Sequence, residues 1–215
     1  GKFEFTDPDF SLATQFDFLT FITKLFPMSY DTVYPEGMPM IYCGTAVLIL
    51  VPLFFMNDRI TMKEKTSTGL LTFLLVILMY IKPADMAMHG FQVPNWLPYR
   101  YSFIFSFLMI VMAFRAFENL EGITAKNIGG IFFGLMVFLF WCERENYSHF
   151  QLFETKTSET GDTTNVIQGI WVSMIALAAY FALIYLIKKY PKSKAVCIVM
   201  VGVLAVELFA NSADT

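Results

Sequence analysis

Charged residues are scarce in this chain. Asp, Glu, Lys and Arg make up 15% of its 215 residues, and the formal net charge is −3. A soluble domain normally carries about 25% charged residues. The chain also lacks the Lys/Arg stripe with which a protein binds a nucleic acid, so nucleic acid is excluded as a partner. This depletion is typical of a chain that leaves water.

Sequence motifs for familiar chemistry are missing as well. The chain has no GxSxG, no HExxH, no Walker loop and no DxD pattern, so we expect no chemistry that needs a soluble nucleotide. The three cysteines form neither a CxxC pair nor a cluster with the two histidines. We therefore predict no metal site, no resident cofactor and no structural disulfide, and we interpret the cysteines as small packing residues.

Apolar residues, by contrast, are abundant. They make up 56% of the chain, and 24 of them are phenylalanine. Such a composition with long apolar runs predicts an all-α polytopic membrane helix bundle of about six transmembrane helices. The predicted spans cover residues 38–56, 67–81, 100–114, 128–142, 164–187 and 195–209. The third, fourth and sixth are short for a bilayer, and we expect flanking Trp, Tyr and Arg side chains to extend them to the interface.

The chain divides into an amphipathic segment and a bundle. Residues 1–37 mix phenylalanines with polar side chains, and the apolar positions between Phe10 and Phe26 partly fit one helical face. We predict a helix lying on the outer membrane surface, with its start at Asp7-Pro8; a helix packed on a separate soluble domain is the alternative. Residues 38–211 form the bundle, with outer loops at 84–99 and 143–165. The chain begins without Met and stops directly after a span, so we expect further residues on both sides.

The distribution of Lys and Arg predicts an orientation. Nine of them lie in the turns after the first, third and fifth spans, and six lie in the longer remaining segments. Cytoplasmic turns carry the excess of positive charge. The loop at 84–99 is therefore predicted to be extracytoplasmic in a multi-pass plasma-membrane protein.

The most unusual stretch of the sequence covers residues 89–106, where a proline-punctuated polar loop leads into an apolar span. Arg100 lies between Tyr99 and Tyr101, with Trp96 shortly before them. An arginine on the outer side can simply anchor a helix end. A guanidinium among aromatic rings is also suited to holding a phosphate, with the rings against a sugar or an isoprenoid chain.

Three further residues are candidates on the same side. His89 is either an inert loop residue, a phosphate contact or a proton carrier, and Asp85 lies four residues before it. Glu207 is a carboxylate inside an apolar run, which favours function, although structural pairing, for example with an arginine, is the alternative. Tyr42 either belongs to the interfacial aromatic belt or lines the same pocket. The charged residues of the loop at 143–165 are interpreted as solvated.

The motif HGFQxPNWxPYRYSF at residues 89–103 resembles the YfhO family of bacterial membrane proteins. The stretches PMIYCG at 39–44 and ELFAN at 207–211 are similar to it too. This resemblance implies a GT-C-type glycosyltransferase fold. It implies transfer of a sugar from a polyprenyl-phosphate donor to a cell-envelope polymer such as lipoteichoic acid, on the outer face. An acidic base is expected in an earlier loop that this chain does not contain, so the catalytic residue stays unknown.

On this resemblance, one set of side chains is expected to bind the lipid phosphate or the substrate: His89, Asn95, Trp96, Tyr99, Arg100, Tyr101, Tyr42 and Glu207. The expected partners are membrane lipids, the lipid-linked sugar donor and the envelope polymer. A transporter or flippase for a lipid-linked substrate is the second hypothesis, and it requires polar residues at mid-depth. A non-catalytic membrane scaffold is the third.

Overall fold

The computed structural model describes residues 11–27, 29, 37–91, 98–144, 153–157, 163–167 and 169–213. Six long helices follow one another in this part of the chain: α2 (Thr45–Met56), α3 (Met62–Tyr80), α5 (Ser102–Glu118), α6 (Ala125–Arg144), α7 (Gly169–Lys189) and α8 (Lys194–Ala213). Two short helices accompany them: α1 (Phe18–Thr23) and α4 (Lys82–Met88). The six long helices correspond to the six predicted spans, which confirms the helical membrane bundle.

The helix α2 lies at the centre of the bundle, because it packs against α5, α6 and α7. Its sequence has no charged residue and is apolar all round, and nine of its twelve residues are buried. A helix that is apolar on every side lies either in a protein core or against lipid, and here neighbouring helices cover most of it. Pro52 within α2 is tolerated in such a position.

Among the described residues, three helices are long and apolar enough to cross a membrane, with spans at Ala125–Cys142, Ile170–Lys189 and Lys194–Asn211. The other three long helices were also predicted to span the membrane, but they do not combine the required length with an uncharged sequence. With twelve residues, α2 is about 18 Å long, well short of a bilayer. Charged residues lie in the first turns of α3 and at the end of α5.

One predicted boundary is wrong, and another lies outside the described residues. The first span was predicted from residue 38, but residues 37–44 are not helical and α2 begins at Thr45. In the amphipathic segment, the predicted start at Asp7-Pro8 lies outside the described residues. The helix found there covers only Phe18–Thr23, and Asp17 caps it by accepting a hydrogen bond from Thr20 N at 2.9 Å.

The segment around α1 is packed into the bundle, whereas we predicted that it lies on the membrane surface. Phe21 is buried against Phe105 of α5, with ring centroids 6.0 Å apart. Phe26 is buried against Phe138 of α6, with ring centroids 5.9 Å apart. The aromatic side of this segment therefore contributes to the protein core.

The loop predicted at 143–165 contains regular structure. Strands β1 (Phe153–Thr157) and β2 (Thr163–Ile167) pair antiparallel, with Thr155 opposite Asn165. This hairpin connects α6 to α7. It is a small addition to an otherwise helical architecture.

Two ends of the bundle can be distinguished by their contacts. At one, which we call the turn end, residues 57–61 contact residues 119–124, and Lys188 Nζ donates to Leu120 O at 2.8 Å. At the other, which we call the carboxylate end, lie Asp85 and Glu207 with the segments around them. Gln15 N donates there to Tyr80 O at 2.9 Å.

Candidate functional site

A buried carboxyl group organises the chain segments before α5. Asp85 lies on α4, and its side chain is only 3% exposed. Gln15 Nε2 donates to Asp85 Oδ2 at 2.9 Å, and the Tyr101 hydroxyl lies 2.7 Å from Asp85 Oδ1. Together with His89 these residues form what we call the Asp85 cluster. It joins the N-terminal segment, α4 and the start of α5.

The Tyr101 hydroxyl has one proton and two nearby acceptors. It lies 2.7 Å from Leu78 O as well as 2.7 Å from Asp85 Oδ1. Leu78 O needs this proton, because Lys82 N, its usual helical donor, bonds Ala13 O instead. Both contacts are therefore satisfied when Asp85 itself carries a proton.

The pKa of Asp85 also favours a protonated carboxyl group. Burial raises the pKa of the Asp85 carboxyl above its ordinary value, because the charged form is costly away from water. The Tyr101 hydrogen bond, the charge of His89 and the Gln15 hydrogen bond act in the opposite direction but do not cancel the effect. Burial also raises the pKa of Tyr101.

His89 follows α4 directly, and its ring is held in one orientation. Nδ1 lies 2.9 Å from the carbonyl oxygen of Asp85 and 3.4 Å from Asp85 Oδ1. A carbonyl oxygen can only accept, so Nδ1 carries a proton. The side chain is 11% exposed, and within the described part of the chain Nε2 is buried without any hydrogen-bond partner.

Tyr99, Arg100 and Tyr101 form the turn that leads into α5. Both tyrosines are buried, whereas Arg100 is exposed. Tyr99 adopts a left-handed backbone conformation with φ of 58°, and its ring packs edge-on against Phe16 at 5.8 Å. Burial and the charge of Asp85 raise the pKa of Tyr99. The tyrosines thus face the interior while the guanidinium reaches the surface.

Glu207 on α8 is the second carboxylate. Its Oε1 accepts hydrogen bonds from the Tyr42 hydroxyl at 2.5 Å, from Thr45 N at 2.9 Å and from Thr45 Oγ1. Its Oε2 accepts from the Tyr180 hydroxyl at 2.6 Å. We call these four residues the Glu207 cluster. Glu207 is structurally paired, as the alternative interpretation held, but its partners are two tyrosines and the start of a helix rather than an arginine.

The position of α2 explains this arrangement. Thr45 is the first residue of α2, where backbone N–H groups have no helical acceptor and where the helix dipole is positive. Gly44 precedes it with φ of +101°, a conformation that L side chains rarely adopt. The carboxylate of Glu207 therefore caps the N-terminus of the central helix.

The predicted site residues are thus divided between two clusters. His89 and Tyr101 belong to the Asp85 cluster, and Tyr42 belongs to the Glu207 cluster. The two are linked where Ser102 Oγ donates to Met40 O at 3.1 Å, two residues before Tyr42. Two of the other candidates, Asn95 and Trp96, lie outside the described residues.

Sequence reasoning missed three members of these clusters. Tyr180 is a polar side chain in the middle of an apolar helix, which is a usable signal because such groups need a partner in the bundle. Thr45 carried a weaker signal, as a hydroxyl residue at the start of a helix. Gln15 carried none, since its pairing with Asp85 joins positions seventy residues apart.

An apolar groove of about 440 Å³ runs along α3. Its lining includes Phe18 of α1, Phe55 of α2, and Gly69, Phe73 and Tyr80 of α3. Because Tyr80 is bonded through its backbone to Gln15, the groove ends beside the Asp85 cluster. Within the described part of the chain, no three His, Cys, Asp or Glu side chains are arranged to hold a metal ion.

The long apolar helices, the largely buried central helix α2 and the buried polar clusters define a polytopic helix-bundle membrane protein. A family model described as bacterial membrane protein YfhO matches residues 2–214. The chain therefore belongs to the YfhO family of bacterial membrane proteins. Neither the curated proteins nor the solved structures give a match for this chain.

Proposed function

We propose that this chain is the membrane portion of a glycosyltransferase that transfers a sugar from a polyprenyl-phosphate donor to a cell-envelope polymer such as lipoteichoic acid. Membership of the YfhO family supports the proposal. The observation that carries it is the buried Asp85 cluster at the end of an apolar groove, where His89 Nε2 has no hydrogen-bond partner among the described residues. An apolar channel ending in polar groups is suited to an amphipathic lipid.

Each part of this region has a role in the proposal. The groove along α3 takes part of the polyprenyl chain. The exposed Arg100 contacts the phosphate, and its positive charge stabilises the charge that develops as the phosphate leaves. Asn95, Trp96 and Tyr99 complete the binding loop together with His89. Tyr101 holds that loop in position, because its hydroxyl lies within hydrogen-bond distance of Leu78 O and Asp85.

In the proposal, the Glu207 cluster forms the wall of the substrate site opposite the Asp85 cluster. Tyr42 is bonded to Glu207, and the link from Ser102 to Met40 joins this wall to the start of α5. Because both oxygens of Glu207 already accept hydrogen bonds, its role is to hold Tyr42 and the beginning of α2 in position. The substrate contact of this wall is the aromatic face of Tyr42.

The proposal places the carboxylate end outside the cell. Nine Lys and Arg residues lie in the three turns that follow α2, α5 and α7 or in the helix ends beside these turns, all at the turn end. Positive charge of this kind favours the cytoplasmic side. An extracytoplasmic carboxylate end would meet a lipid-linked donor and an envelope polymer in the outer leaflet.

The test uses the full-length protein expressed in a strain deleted for its gene. Arg100→Ala is expected to abolish the added sugar mass on envelope polymers, measured by mass spectrometry, while the protein still inserts in the membrane. Arg59→Ala is the matched control, since Arg59 is also exposed but lies at the turn end. If the Arg100→Ala strain keeps its glycosylated polymer, Arg100 has no part in the mechanism. If deletion itself changes no polymer, the glycosyltransferase proposal is wrong.

A transporter or flippase for a lipid-linked substrate is the second candidate. The short α2, which begins only at Thr45 after a non-helical buried segment, favours it. Interrupted helices whose N-termini lie within the membrane form the binding sites of many transporters. Translocation of a fluorescent polyprenyl phosphate by the protein in vesicles, without sugar transfer, would support this function over the first.

A further inference from the structure

Four lysines lie close together between α7 and α8, in residues 188–194, which we call the basic turn. No Asp or Glu occurs between Asp162 and Glu207, so no neighbouring carboxylate along the chain offsets this charge. The fold uses one of the four, because Lys188 Nζ donates a hydrogen bond to Leu120 O. The other three side chains are exposed: Lys189, Lys192 and Lys194.

The arginines at the turn end have acidic partners, whereas the exposed lysines of the basic turn do not. Arg59 pairs with Glu121 at 2.8 Å, and Arg115 pairs with Glu64 at 2.9 Å. Within the described part of the chain, the three exposed lysines form no ion pair. Their positive charge is therefore available to an anion from outside the protein.

The basic turn is held at the membrane surface. The apolar spans on its two sides end at Lys189 and begin at Lys194, so only four residues lie between them. A hydrogen bond from Ser193 N to Tyr190 O at 3.0 Å folds these residues back, and Pro191 fits the second position of such a turn. The headgroup layer on each side of a bilayer is about 5–7 Å thick. The lysines therefore lie in the headgroup layer and not in bulk water.

The side chains around these lysines suit a phospholipid. Lys189 Nζ lies 5.4 Å from the centre of the Tyr190 ring, and this ring is half exposed, as in the aromatic belt of a membrane protein. Toward the membrane interior, exposed apolar side chains continue on both helices, with Leu186 on α7 and Ile198 on α8. Cationic groups at the headgroup level and apolar surface next to them match the two parts of an anionic lipid.

We propose that the basic turn binds the headgroup phosphates of anionic phospholipids, with their acyl chains against α7 and α8. This inference does not depend on the proposed glycosyltransferase function. Each lysine near an anionic membrane surface strengthens binding about fivefold, so three of them together discriminate against zwitterionic lipids. The bound lipid also stabilises the helix pair, because α8 packs mainly against α7.

The first experiment compares two lipids on the full-length protein. The protein is purified in detergent without residual lipid and mixed with equal amounts of phosphatidylglycerol and phosphatidylcholine, and the bound lipids are counted by native mass spectrometry. The wild-type protein is expected to retain phosphatidylglycerol at least about tenfold over phosphatidylcholine. A variant that combines Lys189→Gln, Lys192→Gln and Lys194→Gln should lose this preference. Lys→Arg changes at the same three positions should preserve it, because the charge remains.

A matched variant distinguishes a binding site from diffuse surface charge. Lys63→Gln, Lys65→Gln and Lys126→Gln remove the same charge from other positions of the turn end, where Glu64 lies between the first two. This variant should keep the lipid preference of the wild-type protein within about twofold. If it loses the preference as strongly as the basic-turn variant does, the inference is wrong. The inference is equally wrong if the basic-turn variant keeps the preference, or if the Lys→Arg variant loses it.

The second experiment measures stability in lipid. We expect the wild-type protein to unfold at a higher temperature in nanodiscs of phosphatidylglycerol than in nanodiscs of phosphatidylcholine, because a ligand of the folded state stabilises it. The difference between the two lipids should shrink for the basic-turn variant and at high salt. An equal difference for the wild-type protein and this variant would show that lipid at the basic turn does not stabilise α7 and α8.

Discussion

The two ends of the bundle differ in which polar groups they bury. At the turn end, a neutral amide is buried: Asn57 Nδ2 donates to Asn119 O, and Asn57 Oδ1 accepts from Arg59 N, both at 2.9 Å. The charged groups there stay at the surface, as in the pair Arg59–Glu121 at 2.8 Å. At the carboxylate end, the ionisable groups Asp85 and Glu207 are enclosed by tyrosines and backbone donors.

This contrast supports the proposal that the carboxylate end, rather than the turn end, carries the function. The buried Asn57 contact of the turn end is neutral, and the Arg59–Glu121 pair is charged where water screens it. The carboxylate end spends free energy to hold carboxyl groups away from water, which proteins do mainly where chemistry or binding requires it. It also contains the buried Nε2 of His89, for which the described residues provide no hydrogen-bond partner.

The largest expected effect comes from removing the second carboxylate. Glu207→Ala leaves the hydroxyls of Tyr42 and Tyr180 and the backbone of Thr45 without their acceptor. We expect a loss of about 3 kcal/mol in the free energy of unfolding, measured by thermal unfolding in detergent. Glu121→Ala, at the exposed surface of the turn end, is the control. Equal stability of the two variants would show that the Glu207 cluster does not hold α8.

The next largest effect is expected from a substitution that creates a steric clash at the turn end. In Gly122→Ala, the new Cβ would lie 2.1 Å from Asn57 Oδ1 and 2.8 Å from Arg59 Cγ. We expect a cost of about 1–3 kcal/mol in the free energy of unfolding, since the two turns must separate. Gly130→Ala, where nothing lies within 4 Å of the new Cβ, should be neutral or stabilising. A stable Gly122→Ala variant would mean that the contact between the turns is not rigid.

The buried Asp85 predicts a specific dependence of stability on pH. Its pKa is raised in the folded protein, so the folded state binds the proton more tightly than the unfolded state does. The corresponding stabilisation is present below the ordinary pKa of Asp and is lost as pH rises through the raised value. Each pKa unit of difference corresponds to about 1.4 kcal/mol.

Unfolding between about pH 4 and pH 7 measures this dependence. Asp85→Asn should flatten the profile, because an amide mimics the neutral acid; Asp58→Asn, at an exposed position of the turn end, should leave the profile unchanged. A wild-type protein that gains stability as pH rises through this window, with Asp85→Asn removing the gain, would show that Asp85 is ionised.

The smallest effect is expected for the exposed ion pair of the turn end. Arg59 and Glu121 are 59% and 73% exposed, and such pairs contribute less than about 1 kcal/mol to stability. Arg59→Ala should therefore change the unfolding temperature only slightly, and less still at high salt. A large loss of stability that salt does not reduce would require a role for Arg59 beyond this pair.

Much of the fold could be predicted from local patterns. Long apolar runs with few charges indicated all six long helices, and each predicted centre lies within about four residues of the observed one. The ends differed where a cap or a turn decides the boundary, as with Thr61, which caps α3 ahead of the apolar run. The start of α2 was wrong because apolar composition cannot distinguish a helix from buried non-helical backbone.

Only part of the candidate site could be predicted from the sequence. Position four residues apart on a helix suggested that Asp85 and His89 are neighbours, and the structure places them together. The burial of Tyr99 and Tyr101 on the side opposite to Arg100 could not be inferred, because it depends on a left-handed turn and on packing against Phe16.

The sequence by itself determined that this is a helical membrane protein, since hydrophobicity acts on each segment independently of its neighbours. Only the tertiary structure decided which polar groups meet. The pairs Gln15–Asp85 and Tyr42–Glu207 join residues 70 and 165 positions apart. Such contacts form when separate helices pack side by side, and no local pattern along the chain records which helices do so.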